Sequence, residues 1–233
     1  MSNILVIDTS TEACSVALQV GDAVYTDYKV APRQHGELVL PMVDALLQQA
    51  KIKLADLDVI GYGQGPGAFT GLRICISIVQ GLAYGAGVPV VGVSSLQAMA
   101  QAAYQSTNEE HILSAIDARM GEVYWGVYQL QDGLMMRVGQ EEVAEPETVT
   151  IDQLDSSIIY RAVGSGWQTY PDQLAQRSSV SLVIEGEVSF PSAKHMLPWV
   201  AQQLADGLAL DAEQAQPVYL RNNVAKKVAE QGS

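Results

Sequence analysis

Two aspartates stand where a strand end would present a carboxylate. Asp8 follows Ile4-Leu-Val-Ile7, and Asp117 follows an apolar run that ends in Ile116. A carboxylate so placed can hold a magnesium-bound water. It can equally accept hydrogen bonds from the backbone of its own turn. The residue types leave both open. Ser10, Thr11 and Thr70 supply hydroxyls, but none has an identifiable base. No Gly-x-Ser-x-Gly elbow exists to activate a serine. Asp117, Arg119 and Glu122 carry the charges of an acid–base set without a spacing that compels one. His35 begins His-Gly-Glu-Leu-Val39; a metal pair wants a second histidine one helical turn on, where Val39 stands. His111 and His195 have no partner at ligand spacing. Cys14 and Cys75 form no metal or redox motif and read as buried thiols in a reducing compartment.

The stretch Gly61-Tyr-Gly-Gln-Gly-Pro-Gly-Ala-Phe-Thr-Gly-Leu-Arg73 invites a phosphate-binding reading. A Walker A loop fails, because five positions after Gly65 stands Thr70 and no Lys-Ser or Lys-Thr follows. A dinucleotide fingerprint fits as Gly63-x-Gly65-x-x-Ala68, but it wants an acidic residue about 20 positions on. There is no Asp or Glu between Gly71 and Asn108. The glycines read better as permitting unusual backbone angles and close approach, with Pro66 stiffening the turn. The start of the helix that follows could still attract an anion through its free N–H groups.

The elements that must position these residues alternate along the chain. Residues 3–9, 13–20 and 23–30 read as strands of an antiparallel meander, with a hairpin turn at Gly21-Asp22. Residues 35–50 read as a helix, with Pro41 expected to kink it or to mark its first turn. A strand over 57–63, the helix over 69–84, a strand over 89–93 and a helix from Ser94 or Ser95 to about Gln105 follow. After the polar run Gln105-Ser-Thr-Asn-Glu-Glu110 the opening recurs. Ile116-Asp117, a short polar turn and a new strand echo Ile7-Asp8 about half a chain earlier. This predicts an internal duplication, with domains at 1–106 and 107–233. Strands over 133–138 and 158–163, a loop at Gly164-Ser-Gly166 and a helix over 192–204 continue the less regular second half.

Two helices are unusually apolar. The helix over 69–84 carries one charge, Arg73. On the helix over 35–50 the apolar positions span roughly 220° of the circumference, where a stripe somewhat over 100° serves one-sided burial. Such excess predicts a protein–protein interface; the alternative is cover on both sides within the same chain. With 13 basic against 26 acidic residues and a net charge of −13, the chain alone is a poor holder of nucleic acid. Met1-Ser-Asn-Ile-Leu5 lacks a basic signal-peptide head, and the apolar stretch 72–91 is broken by Arg73, Gln80, glycines and Pro89. A cytoplasmic protein without a membrane span is expected. The basic residues Arg221, Lys226 and Lys227 form a tail, either solvated or a docking segment.

The motifs Ile4-Leu-Val-Ile-Asp-Thr-Ser-Thr11, His35-Gly-Glu-Leu-Val-Leu-Pro41, Gly65-Pro-Gly-Ala-Phe-Thr-Gly-Leu-Arg73, Asp117-Ala-Arg-Met-Gly-Glu-Val-Tyr124 and Pro217-Val-Tyr-Leu-Arg221 together resemble the TsaB (YeaZ) family. These are bacterial partner subunits of the tRNA threonylcarbamoyladenosine machinery, and the resemblance spans nearly the whole chain. It implies an α/β actin-like, Hsp70-like, sugar-kinase-like (ASKHA) fold of two duplicated subdomains, each a mixed sheet flanked by helices. It implies a non-catalytic subunit that pairs with TsaD, or with a second copy as a homodimer, through the helices near 35–50 and 69–84. TsaE docks on that pair, tRNA is met only through the complex, and ATP is used by the complex with no cofactor bound by this chain alone. The interface residues implied are His35, Leu38, Met42, Ala45, Leu46, Phe69, Thr70, Leu72, Arg73, Ile76, Gln80 and Tyr84. Asp8, Ser10, Thr11 and Asp117 would form a vestigial nucleotide or anion loop. The His-x-x-x-His metal pair of TsaD has no counterpart at Glu37 and Val39. The rival reading is a stand-alone nucleotide-dependent phosphotransferase or peptidase of the same superfamily.

Overall fold

The computed structural model describes residues 2–152, 154–178, 181–185 and 188–221. Lys226 and Lys227 lie outside the described residues. The chain begins with β1 (Ile4–Asp8), β2 (Ala13–Val20) and β3 (Ala23–Val30), paired antiparallel as the meander required. Gly21, at φ 58°, makes the two-residue hairpin turn that joins β2 to β3. Then come α1 (His35–Ala50), β4 (Val59–Gly65), α2 (Phe69–Ala86), β5 (Val90–Ser94) and α3 (Ser95–Thr107). Helix α1 runs unbroken through Pro41, which faces solvent, where water can serve the carbonyl freed by the missing N–H. Ser94 caps α3, accepting from the N–H groups of Leu96 and Gln97.

The second half supplies β6 (His111–Arg119), β7 (Glu122–Gln131), β8 (Leu134–Ala144), β9 (Ile159–Val163), α4 (Ser165–Thr169), α5 (Pro171–Ser178), β10 (Ser181–Glu185) and α6 (Ala193–Ala205). The first sheet is ordered β3-β2-β1-β4-β5 and the second β10-β9-β6-β7-β8. Read from its other edge, the second sheet repeats the first strand for strand. In each, the first three strands are antiparallel and the last two join in parallel. The fold is the duplicated ASKHA arrangement, two mixed sheets flanked by helices. Strand β6 runs two residues past Asp117. The turn comes at Met120-Gly121, both at positive φ, so Asp117 is not a strand end.

Alternation sorts each strand's side chains. Leu5 and Ile7 of β1 face α1 and α2, whereas Ile4 and Val6 face α6. Helix α3 lies between the halves, sending Ala98 to the first sheet and Leu96, Met99 and Ala103 to the second. The second half does not keep to its own sheet. Helix α6 returns to cover the first one, through Ala193, Met196, Leu197 and Val200. Gly61 leaves room for Val200 there. After α6, Leu210 pairs with Val90 at the edge of β5.

Candidate functional site

The turn after β1 and the glycine-rich loop lie directly on each other. The Ala68 N–H donates to the Ser10 carbonyl at 2.7 Å, and Thr9 Oγ1 donates to the Gly71 carbonyl at 2.8 Å. A methyl at Gly67 would strike the Ser10 carbonyl, and one at Gly71 the Thr9 carbonyl. One at Gly63 would strike the Asp8 carboxylate. Close approach is therefore what these glycines supply; Gly65, at φ 106°, adds a backbone angle that side chains disfavour. The contact seals the turn: Asp8 and Ser10 are fully buried, Thr11 nearly so. Ser95 Oγ donates to Ser10 Oγ at 2.9 Å. Asp8 Oδ1 accepts the Ser10 N–H at 3.4 Å, while Oδ2 is buried with no partner among the described residues. Loss of water pushes the carboxyl pKa up to about 6, with the Ser10 bonds opposing weakly. Asp117, the equivalent residue of the second half, accepts the Arg119 N–H at 2.9 Å and pairs with the Arg119 guanidinium. Each aspartate thus accepts from the backbone two residues on, which is the turn reading.

Beside the sealed turn, two cavities of about 190 and 90 Å³ share Gly67, Ala68, Ala118, Arg119 and Tyr124. Arg119 reaches across the cleft to Glu12 at 2.5 Å. Residues 216–221 close one wall as a strap. The Gln216 N–H donates to Tyr62 Oη at 3.1 Å, and the Val218 N–H to the Gln64 carbonyl at 2.7 Å. Tyr219 packs on Phe69 at 5.5 Å, and the Arg73 guanidinium lies 3.9 Å over the Phe69 ring. Arg221 donates to the Ala118 carbonyl at 3.1 Å and pairs with Glu122. The strap therefore bonds to both halves. Arg221 is part of this tie, not a solvated tail.

The outer side of α1 and α2 is the second candidate surface. Ala45, Phe69, Thr70, Arg73 and Tyr84 are exposed, Tyr84 at 83%. Leu38 and Gln80 are half-buried, and Gln80 donates to the Ala215 carbonyl at 3.2 Å. The remaining expected interface residues require correction. Met42, Leu46 and Ile76 are buried in the core shared by α1, α2 and the first sheet; Leu72 and His35 are buried as well. Much of the apolar surface of the two helices serves this chain's own interior. What stays outside includes Leu40, which the sequence reading passed over, and the small residues Ser77, Gly81 and Gly85. The four-residue spacing of those three was the available signal. Around Gly81 and Gly85 the Cβ position is open space. Among the described residues α2 alone has the length and hydropathy of a membrane span, yet it packs on β4, β1 and α1.

A family model described as TsaD, tRNA N6-adenosine threonylcarbamoyltransferase, matches residues 29–229. The tRNA threonylcarbamoyladenosine biosynthesis protein TsaB of Escherichia coli (strain K12) is 47% identical over 225 residues, 96% of each chain. The protein of the same name from Haemophilus influenzae is 36% identical over 96% of this chain and 95% of its own. The solved structure of YeaZ from Pseudomonas aeruginosa superposes with a TM-score of 0.87 at 45% identity, over 94% of this chain and all of the other. A second Pseudomonas aeruginosa structure, described as an uncharacterized protein similar to peptidase YeaZ, gives 0.88 at 44% identity over 95% and 100%.

Proposed function

The chain belongs to the TsaB family of tRNA threonylcarbamoyladenosine biosynthesis proteins, and from that membership we propose that it is a non-catalytic subunit that pairs with TsaD. The observation that carries the reading is the outer side of α1 and α2. Leu40, Phe69 and Tyr84 stand exposed, and α2 also exposes the small residues Ser77, Gly81 and Gly85, which let a partner's helix approach closely. TsaE docks against the pair so formed, in the cytoplasm. ATP is consumed by the assembly and not by this chain. A chain with twice as many acidic as basic residues suits a subunit that meets tRNA only through its partner.

The rival, a stand-alone phosphotransferase or peptidase, has the described similarity of one solved relative to a peptidase in its favour. The turn that would hold a metal-bound phosphate is filled by the protein's own backbone. Burial pushes the Cys14 thiol up to about 11 and the Cys75 thiol higher still, which removes thiolate nucleophiles.

The test uses Tyr84→Asp and Ala45→Asp, which place a charge on the exposed face without entering the core. The expected result is loss of co-purification with TsaD and loss of threonylcarbamoyladenosine in tRNA nucleoside mass spectra, with circular dichroism unchanged. Full retention of TsaD pairing overturns the proposal. Turnover of ATP or peptide by the purified chain, abolished by Asp8→Ala, would establish the rival.

A further inference from the structure

We propose that Met120 is a reversible oxidation site, whose sulfoxide oxygen fastens the 216–221 strap to the second half through Arg221. The turn after β6 places the residue. Arg119, Met120 and Gly121 follow one another at φ 62°, 60° and 81°. The chain reverses there, and Met120 stands 76% exposed. The other described methionines are withdrawn from solvent. Met42, Met99, Met135 and Met196 are buried in the core clusters, and Met136 is half-buried. The susceptibility of a side-chain sulfur to a dissolved hydroperoxide follows its exposure. Exposure therefore singles out one thioether.

The group beside that sulfur gives its oxidation a consequence. Arg221 Nη1 donates to Met120 Sδ at 3.8 Å. Nη2 of the same guanidinium donates to the Ala118 carbonyl at 3.1 Å and the Arg119 carbonyl at 3.3 Å, and pairs with Glu122. The oxygens on Nη2 are strong acceptors, whereas the thioether on Nη1 is a weak one. The Arg221 side chain is mostly buried, so a better acceptor for Nη1 meets little competition from water. A sulfoxide is that acceptor, because its S–O bond is polarised with the negative end on oxygen. An oxygen carried on the sulfur and turned towards the guanidinium comes within hydrogen-bond range of Nη1.

The step is a two-electron oxygen transfer from hydrogen peroxide. A sulfur lone pair attacks one peroxide oxygen, and the S–O bond forms as the O–O bond breaks. The departing hydroxide takes the proton of the transferred hydroxyl and leaves as water. Sulfur is oxidised, peroxide is reduced, and methionine sulfoxide reductases reverse the change. Met120 belongs to none of the core clusters, so the added oxygen disturbs no packing. Its effect falls on the cleft, where Val218, Tyr219 and Arg221 of the strap line the cavity of about 190 Å³ together with Ala118 and Arg119.

The experiment is brief treatment of the full chain with dilute hydrogen peroxide, read by peptide mass spectrometry and hydrogen exchange. Met120 should gain one oxygen roughly tenfold faster than Met136. The Val218 amide bonds the Gln64 carbonyl within the strap. Its exchange should slow roughly tenfold on oxidation, as a charge-assisted hydrogen bond replaces a weak one. Methionine sulfoxide reductases of both epimer specificities should restore the starting rate. Met120→Gln, which offers an amide oxygen to Nη1, should show the slow exchange without peroxide. In Met120→Leu and in Arg221→Ala, peroxide should leave the Val218 rate unchanged. Oxidation of Met120 no faster than of Met136, unchanged or faster Val218 exchange in the oxidised chain, or slowing that survives in Arg221→Ala would each overturn the proposal. No arm involves TsaD, so this proposal and the pairing proposal fail separately.

Discussion

Asp8 is a fully buried carboxyl group, and among the described residues one of its oxygens has no partner. Its folded pKa, about 6, lies above the unfolded value near 3.8. The folded state therefore binds the proton more tightly. The stability this gives is full below about pH 4 and is lost as pH rises through about 6. Two units correspond to about 3 kcal/mol between pH 4 and pH 7. In urea titrations the parent chain should lose about that much relative to Asp8→Asn as pH rises from 4 to 7; parallel pH curves would refute the assignment. At Gly67 and Gly71 the constraint is steric. Alanine at either should cost about 2–3 kcal/mol in the same titrations, because the atoms in the way are backbone carbonyls that have no rotamer to escape into. These two residues were legible in the sequence as glycines of close approach. What they approach was not, since that depends on a turn 57 or more positions earlier in the chain.

Helices α1 and α2 show where periodicity stops informing. The bounds of α1 follow from its pattern, and the start of α2 from Phe69 after the glycines. A wide apolar arc says that cover is needed without saying who provides it. Here the sheet and the neighbouring helix cover Met42, Leu46 and Ile76. Leu46→Asp and Ile76→Asp should therefore unfold the chain, an unpaired buried charge being costly, and thermal melts would show it where a pairing assay could not tell misfolding from lost contact. Gly81 and Gly85 behave oppositely. Alanine there meets nothing, and should raise the stability of the isolated chain by about 0.5–1 kcal/mol per site. If a partner helix packs against them, the same methyls should weaken TsaD co-purification; a stabilised variant with undiminished pairing would show that the helices meet elsewhere. In the second half, α4, α5 and β10 were missed; α4 starts at Ser165, inside the stretch expected to be a loop. The short, polar stretches of α5 and β10, 171–178 and 181–185, carry little apolar periodicity. The turn after Asp117 was expected, but it falls at Met120-Gly121, two residues beyond the Ile-Asp where the strand was read to end, because methionine gives no turn signal.

At the scale of the molecule, one repeated Ile-Asp dipeptide pointed to a duplication that the strand orders of both sheets display. No local pattern signals that residues 193–221 leave the second half for the first, because contacts between distant segments leave no local period. Arg221 is the last described link of that return, bonding to the Ala118 and Arg119 carbonyls and to Glu122. Arg221→Ala should speed hydrogen exchange at the Val218 amide while leaving β1 protected; equal protection in both would mean that the strap holds without it. The returning helix also sets an order of events during synthesis. The face of β1 that bears Ile4 and Val6 is covered by α6, encoded near the far end. A nascent chain emerging from the ribosome carries that oily face bare until almost all of it has been made, a long interval in which chaperones have a defined target.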